Sequence, residues 1–537
     1  MIFIFASLFF LWLIVFLQRS AYYLYLWQVK EYRFDRMLAQ LEEPFGLSLI
    51  AGRSFYLKLF LILLFLFFGG LYALLSLLLL LLYSAEVILT AFRAGKGNLR
   101  FPDITPKTSA MFLLIVVTPF FLASPFSYAT YISFIIYLLI IDAFTFALVS
   151  FWVLFFKPFT FFAKQMIVAR AKRKRNNLKN LIAVGITGSY GKTSTKEILA
   201  YILSSRYKTA KTKEHQNTEI GSARAILDMS PDTQILVAEM AAYKKGDIEE
   251  ISHIVKPDIG IITAIGPQHL ALFGSMERII ETKFELARAL PKNGTLIVNW
   301  DNEYIRRTFQ VSSFKFQVFK CSLKDKTADI YASDIKIYPE RLTFVIHHQE
   351  EKEKCEVNLL GKHNISNILA AAGAAITRGM TLKEIALAVK TLSPMPRTMT
   401  LRKGKKGVTF IDDTYNSSAG GIRAALEYLT VYKKERRIVI MPSIIELGEK
   451  GYVLHEELGQ EMAKVCDYAF ITDAKFKEAM TRGWKSIKGD EENLHFHDNP
   501  MRLAEEAEKN ITEESAVLFE GRIPPQVMHY LFHPLET

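Results

Sequence analysis

The stretch Thr187-Gly-Ser-Tyr-Gly-Lys-Thr-Ser194 has the residue types that phosphate chemistry needs. Gly188 and Gly191 let the backbone turn so that its N–H groups face a phosphate. Lys192 can reach terminal phosphates, and Thr193 can give its hydroxyl to Mg²⁺. The apolar run Leu181–Ile186 before it reads as a buried strand. A helical pattern follows from Ser194 to Leu203, with Ile198, Leu199 and Ile202 on one face. Strand, glycine loop and Lys-Thr at a helix start together predict a phosphate-binding loop. Ile186 stands where the first glycine of the usual G-x-x-x-x-G-K-[ST] spacing belongs. The plainer alternative is a glycine turn beside a surface lysine.

Other residues suit the same chemistry. Glu239 closes the apolar strand Ile235–Ala238, and the carboxyl end of a parallel strand is where α/β sites collect. A carboxylate there can hold Mg²⁺, or simply stand in water. His269 follows the strand Asp258–Ile265 and lies on the same edge, where it binds something or only packs. Lys283 interrupts an otherwise apolar helical pattern, and its ordinary reading is a solvated lysine. Together these groups give metal ligands and a cation beside phosphates, as phosphoryl transfer requires. Asp412-Asp413 ends a further strand just before a helix; it can contact ribose, metal or an amine, or cap the helix.

The elements that must hold these residues fall into unlike parts. The 537 residues suffice for three or four domains, and the net charge of +12 is unevenly spread. Residues 1–160 read as an α-helical transmembrane domain of about five helices: Met1–Leu17, two segments of Phe55–Phe92 divided at Gly69-Gly70, Met111–Ser124 and Tyr128–Phe156. The first segment lacks a cleavage site and reads as an anchor. These spans are poor in ionisable residues. Asp142 is the main exception, and its role is open between structure and function.

Residues 18–54 carry Arg19, Lys30, Arg33, Arg36 and Arg53, and residues 93–110 carry Arg93, Lys96, Arg100 and Lys107; the turns at Gly69-Gly70 and Ser124–Tyr128 carry no charge. The positive-inside rule then predicts an outside N-terminus and a cytoplasmic chain after Lys157. A basic linker, 161–180, favours anionic lipid over nucleic acid because it directly follows an apolar segment. Residues 181–393 alternate strand and helix as a doubly wound α/β domain, with a small antiparallel appendage over Phe314–Leu360. Pro394-Met-Pro396 reads as a hinge into a second, Rossmann-like α/β domain, 394–537. Cys321, Cys355 and Cys466 form no metal spacing or disulfide framework, which fits a reducing compartment.

From Leu181 to Phe519 the chain resembles the Mur ligase family, most closely its branch that adds D-alanyl-D-alanine to a UDP-muramoyl peptide. The resemblance rests on an ordered set: Thr187–Ser194, Asn217 in His-Gln-Asn, Glu239-Met-Ala, Gly266-Pro-Gln-His-Leu-Ala-Leu-Phe-Gly-Ser275, Lys283, Gly361-Lys-His-Asn-Ile-Ser-Asn367, Arg397, Asp412-Asp-Thr-Tyr-Asn416 and Glu446-Leu-Gly448. It implies that Gly188, Ser189, Gly191, Lys192, Thr193 and Ser194 hold ATP, with Thr193, Glu239, His269 and a carbamylated Lys283 on Mg²⁺. It implies further that Asn364 meets adenine, that Arg397 and Asp413 reach ATP when domains close, and that Asn217, Asp412, Tyr415 and Asn416 face substrate. A carboxylate would attack the γ-phosphate, and an amine would then displace phosphate to form an amide.

Two departures stand out. Pro442-Ser443 replaces an expected Gly-Asp, and Glu520-Gly-Arg522 an expected Lys-Gly-Ser. Membrane spans also occupy the place of the family's soluble nucleotide-binding N-terminal domain. The leading expectation is a membrane-tethered, ATP-dependent carbon–nitrogen ligase of cell-wall precursor synthesis. Its partners would be the bilayer, a nucleotide-linked or lipid-linked muropeptide, and an amino-acid or dipeptide amine, with no nucleic acid. A non-ligase ATP-binding membrane module is the alternative. A folylpolyglutamate-type ligase shares the fold, but Asp412-Asp-Thr-Tyr-Asn416 argues for the muropeptide branch.

Overall fold

The computed structural model describes residues 2–42, 46–67, 72–95, 99–123, 131–311, 316–404, 408–433 and 436–532. The turn expected at Gly69-Gly70 and the connection Ser124–Tyr128 lie outside the described residues. The chain divides into two compact units, Met1–Gln165 and Met166–Thr537.

The first unit is helical. Phe3–Val29, Tyr72–Gly95 and the Thr145–Asn177 run are long and apolar enough to cross a membrane; Ser54–Phe67, Pro106–Leu122 and Tyr131–Ala143 are shorter apolar helices. Leucines such as Leu63, Leu66, Leu74 and Leu81 point outward, while Trp12, Phe16, Leu24 and Trp27 are buried inward. An apolar outer face suits lipid contact. The first helix runs on from Ile2 to Val29 instead of stopping near Leu17. The expected span Tyr128–Phe156 is two helices, Tyr131–Ala143 and Thr145–Phe155. Thr145 accounts for the break, because its hydroxyl donates back to the Ile141 and Asp142 carbonyls at 3.0 and 2.9 Å. Such back-bonding bends helices.

Four charges meet inside this unit, which corrects the picture of spans poor in ionisable residues. Arg19, expected in a loop, is helical and bonds Asp142 at 2.9 Å and Glu86 at 2.8 Å. Lys58, fully buried, bonds Glu86 at 2.9 Å and also pairs with Asp142. Tyr83 donates to Asp142 at 2.9 Å, and Arg19 donates to Ser54 at 3.1 Å. Two cations therefore face two carboxylates across four helices. In a low-dielectric interior each charge is tolerable only because the others compensate it.

The second unit carries two sheets. The first holds β1 (Ile182–Thr187), β2 (Thr209–Lys211), β3 (Ile235–Glu239), β4 (Ile259–Ile262), β5 (Thr295–Asn299), β6 (Gln317–Ser322), β7 (Ile330–Ile337), β8 (Leu342–His348) and β9 (Glu351–Val357), in the order 2-3-1-4-5-6-7-8-9. The strands are parallel as far as β7, and β8 and β9 are antiparallel. The expected appendage thus continues the main sheet through the pairing of β6 with β7. Phe344 and Ile346 share one core with Ile198 and Phe319, so separating the hairpin would expose that apolar surface. The second sheet holds β10 (Thr400–Lys403), β11 (Thr409–Asp413), β12 (Arg436–Met441), β13 (Tyr468–Ile471), β14 (Leu494–Phe496) and β15 (Ser515–Glu520), in the order 10-11-15-12-13-14.

Residues 157–177 form one helix. Two of its basic side chains are occupied with protein. Lys174 donates to the Leu227 and Met229 carbonyls at 2.8 and 2.5 Å, and Arg175 to the Val255 carbonyl at 2.7 Å. These carbonyls sit at the C-terminal ends of the helices Glu219–Asp228 and Asp247–Val255, where a cation meets the negative end of the helix dipole. Arg170, Lys172 and Arg173 remain exposed.

Asp142→Ala removes the carboxylate that Arg19 and Lys58 share. We expect it to cost the helical unit about 3–5 kcal/mol, measured as denaturant unfolding of the full-length protein in detergent. A loss below about 1 kcal/mol would show that the four charges are not mutually dependent.

Candidate functional site

β1 is apolar and buried and delivers Thr187 to the sheet edge, where the chain turns. Gly188 has φ +148° and Gly191 φ +77°, both in the region that favours glycine. A Cβ on Gly188 would collide with the Thr263 hydroxyl, and one on Gly191 would lie 2.5 Å from the Asn367 side-chain oxygen. The helix Lys192–Ser204 starts immediately after. Lys192 folds back, donating to the Gly188 and Ser189 carbonyls at 2.9 and 3.1 Å. Burial lowers its pKa, and Glu239 opposes that shift. The Ser189 hydroxyl is tied to the Gly266 carbonyl at 3.0 Å.

A cavity of about 340 Å³ opens over this loop. Gly191 to Ser194, Asn364 and Asn367 line one side; Asp413, Tyr415 and Asn416 line the other. The glycine cradle and a half-buried lysine hydrogen-bonded to loop carbonyls fit a nucleotide's phosphates. Asn364 is pinned in place, donating to the Leu360 carbonyl at 2.7 Å and accepting from Asn367 at 3.1 Å. Asn367 in turn accepts from Thr195 at 3.2 Å, so loop and helix are joined.

Glu239 ends β3 as expected and is 5 % exposed. Asn217, expected to face substrate, donates to it at 3.2 Å. Lys196, absent from the sequence reading, is 1 % exposed and places its ammonium 3.4 Å from Glu239. Its spacing of four residues from Lys192, one helical turn, was the available signal. Glu239 and the Thr193 hydroxyl are oxygen donors suited to Mg²⁺. His269 brings one ring nitrogen; its Nδ1 lies 2.5 Å from Glu446. Lys283 is buried at the end of the helix Met276–Lys283, against Phe273. Burial, with Lys192 nearby, lowers its pKa to about 7. Among the described residues no three His, Cys, Asp or Glu side chains converge as a metal site.

The second domain contributes unevenly. Tyr415 lines the cavity together with Thr193 of the loop. Arg397, expected to reach ATP, lies over the Tyr415 ring at 5.8 Å and 3.7 Å from Glu214. Asp412 is turned inward, accepting from Thr414 at 2.6 Å and pairing with Arg402 at 2.8 Å. Asp413 faces the cavity and accepts from the Met399 amide at 3.1 Å. Its register neighbour on β15 is Glu520, fully buried. Neither is in an ion pair among the described residues. Burial raises Asp413 to about 6, and burial beside Asp413 raises Glu520 well above the usual range. Glu520 therefore keeps its proton well above the pH at which an ordinary carboxyl ionises.

Residues 186–375 match the Mur ligase middle domain, and 397–523 match the Mur ligase, glutamate ligase domain. The UDP-N-acetylmuramoyl-tripeptide–D-alanyl-D-alanine ligase of Synechocystis is 31 % identical over 323 residues, covering 60 % of this chain and 67 % of the relative. The chain belongs to the Mur ligase family. Its counterpart from Mycobacterium tuberculosis is 31 % identical over 287 residues, 52 % of this chain; the match spans only 56 % of that relative's length. A MurF ligase from Thermotoga maritima in complex with ADP superposes with a TM-score of 0.62 at 26 % identity, covering 70 % of this chain and 84 % of that one. A MurF from Acinetobacter baumannii gives 0.62 at 25 % identity, covering 69 % and 80 %. In this Mur ligase the cavity over the glycine loop is lined from both family domains.

The raised pKa values of Asp413 and Glu520 make stability depend on pH. The folded pKa values lie above the unfolded ones, so this contribution is complete below about pH 4 and is lost as pH rises through about 6. Glu520→Gln should flatten that dependence and raise the unfolding midpoint at pH 8, as followed by differential scanning calorimetry.

Proposed function

We propose that this chain is a membrane-tethered, ATP-dependent ligase that forms an amide bond in peptidoglycan precursor synthesis, of the MurF type. The observation that carries the reading is Lys192: it is half-buried, folded onto its own loop, and faces Asp413, Tyr415 and Asn416 across one cavity. ATP phosphates would take the loop amides and draw Lys192 off the Gly188 and Ser189 carbonyls. Asn364 would meet the base and Asp413 the ribose side. Glu239, Thr193 and His269 would hold Mg²⁺, which supplies charge neutralisation at the phosphoryl oxygens.

A substrate carboxylate attacks the γ-phosphorus, the bond to ADP breaks, and an acyl phosphate results. The amine then attacks the carbonyl, phosphate leaves, and an amide remains. Lys192 and the loop amides stabilise the charge on the transferring group. Closure of the two domains over the cavity keeps water from the acyl phosphate. With a pKa lowered to about 7, a large share of Lys283 would be the neutral amine that adds CO₂, and its carbamate would supply a further oxygen ligand.

The domain assignments are 1–160 for the membrane part, 161–180 for the basic linker, 181–393 for the ATP-binding domain and 394–537 for the second ligase domain. Arg170, Lys172 and Arg173, exposed after the last apolar stretch, favour the cytoplasmic face of the cell membrane for the ligase domains. UDP-muramoyl tripeptide and D-alanyl-D-alanine are the expected substrates.

Detergent-purified protein should release phosphate from ATP only when both substrates are present. Lys192→Ala should abolish ligation; turnover near wild type would remove the phosphate-loop assignment. Lys283→Ala should be inactive and partly restored by short carboxylates, and full unrescued activity would remove the carbamate. Phosphate release with a lipid-linked carboxylate, but not with the UDP-linked peptide, would move the substrate to the bilayer.

A further inference from the structure

His269 and Glu446 meet from different domains. His269 caps the short helix Leu270–Phe273 with φ +56°, and Glu446 has φ +65°. Neither is glycine, and such backbone persists where the surroundings over-determine it. Here the surroundings are each other. His269 Nδ1 lies 2.5 Å from Glu446 Oε2, and the Ala271 amide donates to the Glu446 carbonyl at 3.2 Å. Gly448 lies beside Ala271, where a Cβ would make ordinary contact at 3.6 Å from Ala271 Cα. Leu447, between them, is buried in the core of the second domain. The Tyr243 ring packs on the imidazole at 5.1 Å.

We infer that Glu446 is a positioning residue for His269, fixing the imidazole so that Nε2 is presented to the metal only while the second domain is docked. This rests on His269 being a metal ligand, as proposed above. A carboxylate accepting from Nδ1–H leaves the Nε2 lone pair free, and such partners orient metal-binding histidines. Because Glu446 belongs to the second domain and His269 to the first, completion of the metal site and docking of the domains become one event. Binding of the metal then favours the docked state by the same factor that docking favours the metal.

The test uses full-length protein in detergent with ADP, and Mn²⁺ as probe. Wild type should show imidazole-nitrogen coupling to bound Mn²⁺ in pulsed EPR, and His269→Ala should lose it. Glu446→Ala should weaken Mn²⁺ binding about 10–100-fold and diminish the coupling. Glu446→Gln, which still accepts from Nδ1–H, should keep both. Glu446→Asp, one methylene shorter, should weaken binding and provides a second variant should the alanine protein misfold. ADP affinity in EDTA, expected to be equal in all variants, reports folding. Wild-type coupling and affinity in Glu446→Ala and Glu446→Asp would overturn the positioning role and leave His269 as a ligand. Loss in Glu446→Gln as deep as in Glu446→Ala would overturn it in favour of direct ligation by Glu446. No nitrogen coupling in wild type would overturn His269 as a ligand and this role with it.

Discussion

Lys192 is a half-buried ammonium in no ion pair among the described residues, and the phosphate loop is arranged around that fact. Its hydrogen bonds go to two carbonyls of its own loop, which compensate a positive charge only in part. The loop can offer those carbonyls because Gly188 and Gly191 take backbone conformations that side chains resist. Thr263, Asn367 and Gly266 press against the loop from three directions and hold it in that shape. The result is a preformed site lacking one charge, and an anion of phosphate size and geometry supplies it.

The same electrostatic logic runs through the helical unit with the opposite outcome. Arg19, Lys58, Glu86 and Asp142 satisfy one another, so that site has no charge left over. Such a closed set of pairs fixes which helices are neighbours, because any other arrangement strands a charge in an apolar interior. A pair of carboxyls, Asp413 and Glu520, is a third variation. There no cation is present among the described residues, and burial keeps Glu520 protonated.

Between the two ligase domains, Leu360 and Ile337 pack with the core of the second domain, and Tyr428 donates to the Pro339 carbonyl. Two further approaches bear on the site: Tyr415 lines the cavity with Thr193, and Glu446 meets His269. Each joins a residue of the second domain to one with a proposed role at phosphate or metal. Docking of the domains and assembly of the chemistry are coupled through these side chains, alongside that apolar packing.

Local features were legible from the residues alone: the strand, glycine loop and helix at Thr187–Ser194, the α/β alternation, the apolar helices, and the ordered motifs of the Mur ligase family. These are legible because hydrophobic period, glycine and lysine spacing act over a few residues. Tertiary structure alone decided that Arg19 and Lys58 are interior partners of Asp142, across separations of 123 and 84 residues. It alone brought Glu446 to His269 across 177 residues, took Asn217 to Glu239, turned Asp412 inward and set Asp413 beside Glu520. A charged residue in a sequence carries its charge but not its partner. Partners are chosen by which buried groups would otherwise be left uncompensated, and that is known only when the chain has folded.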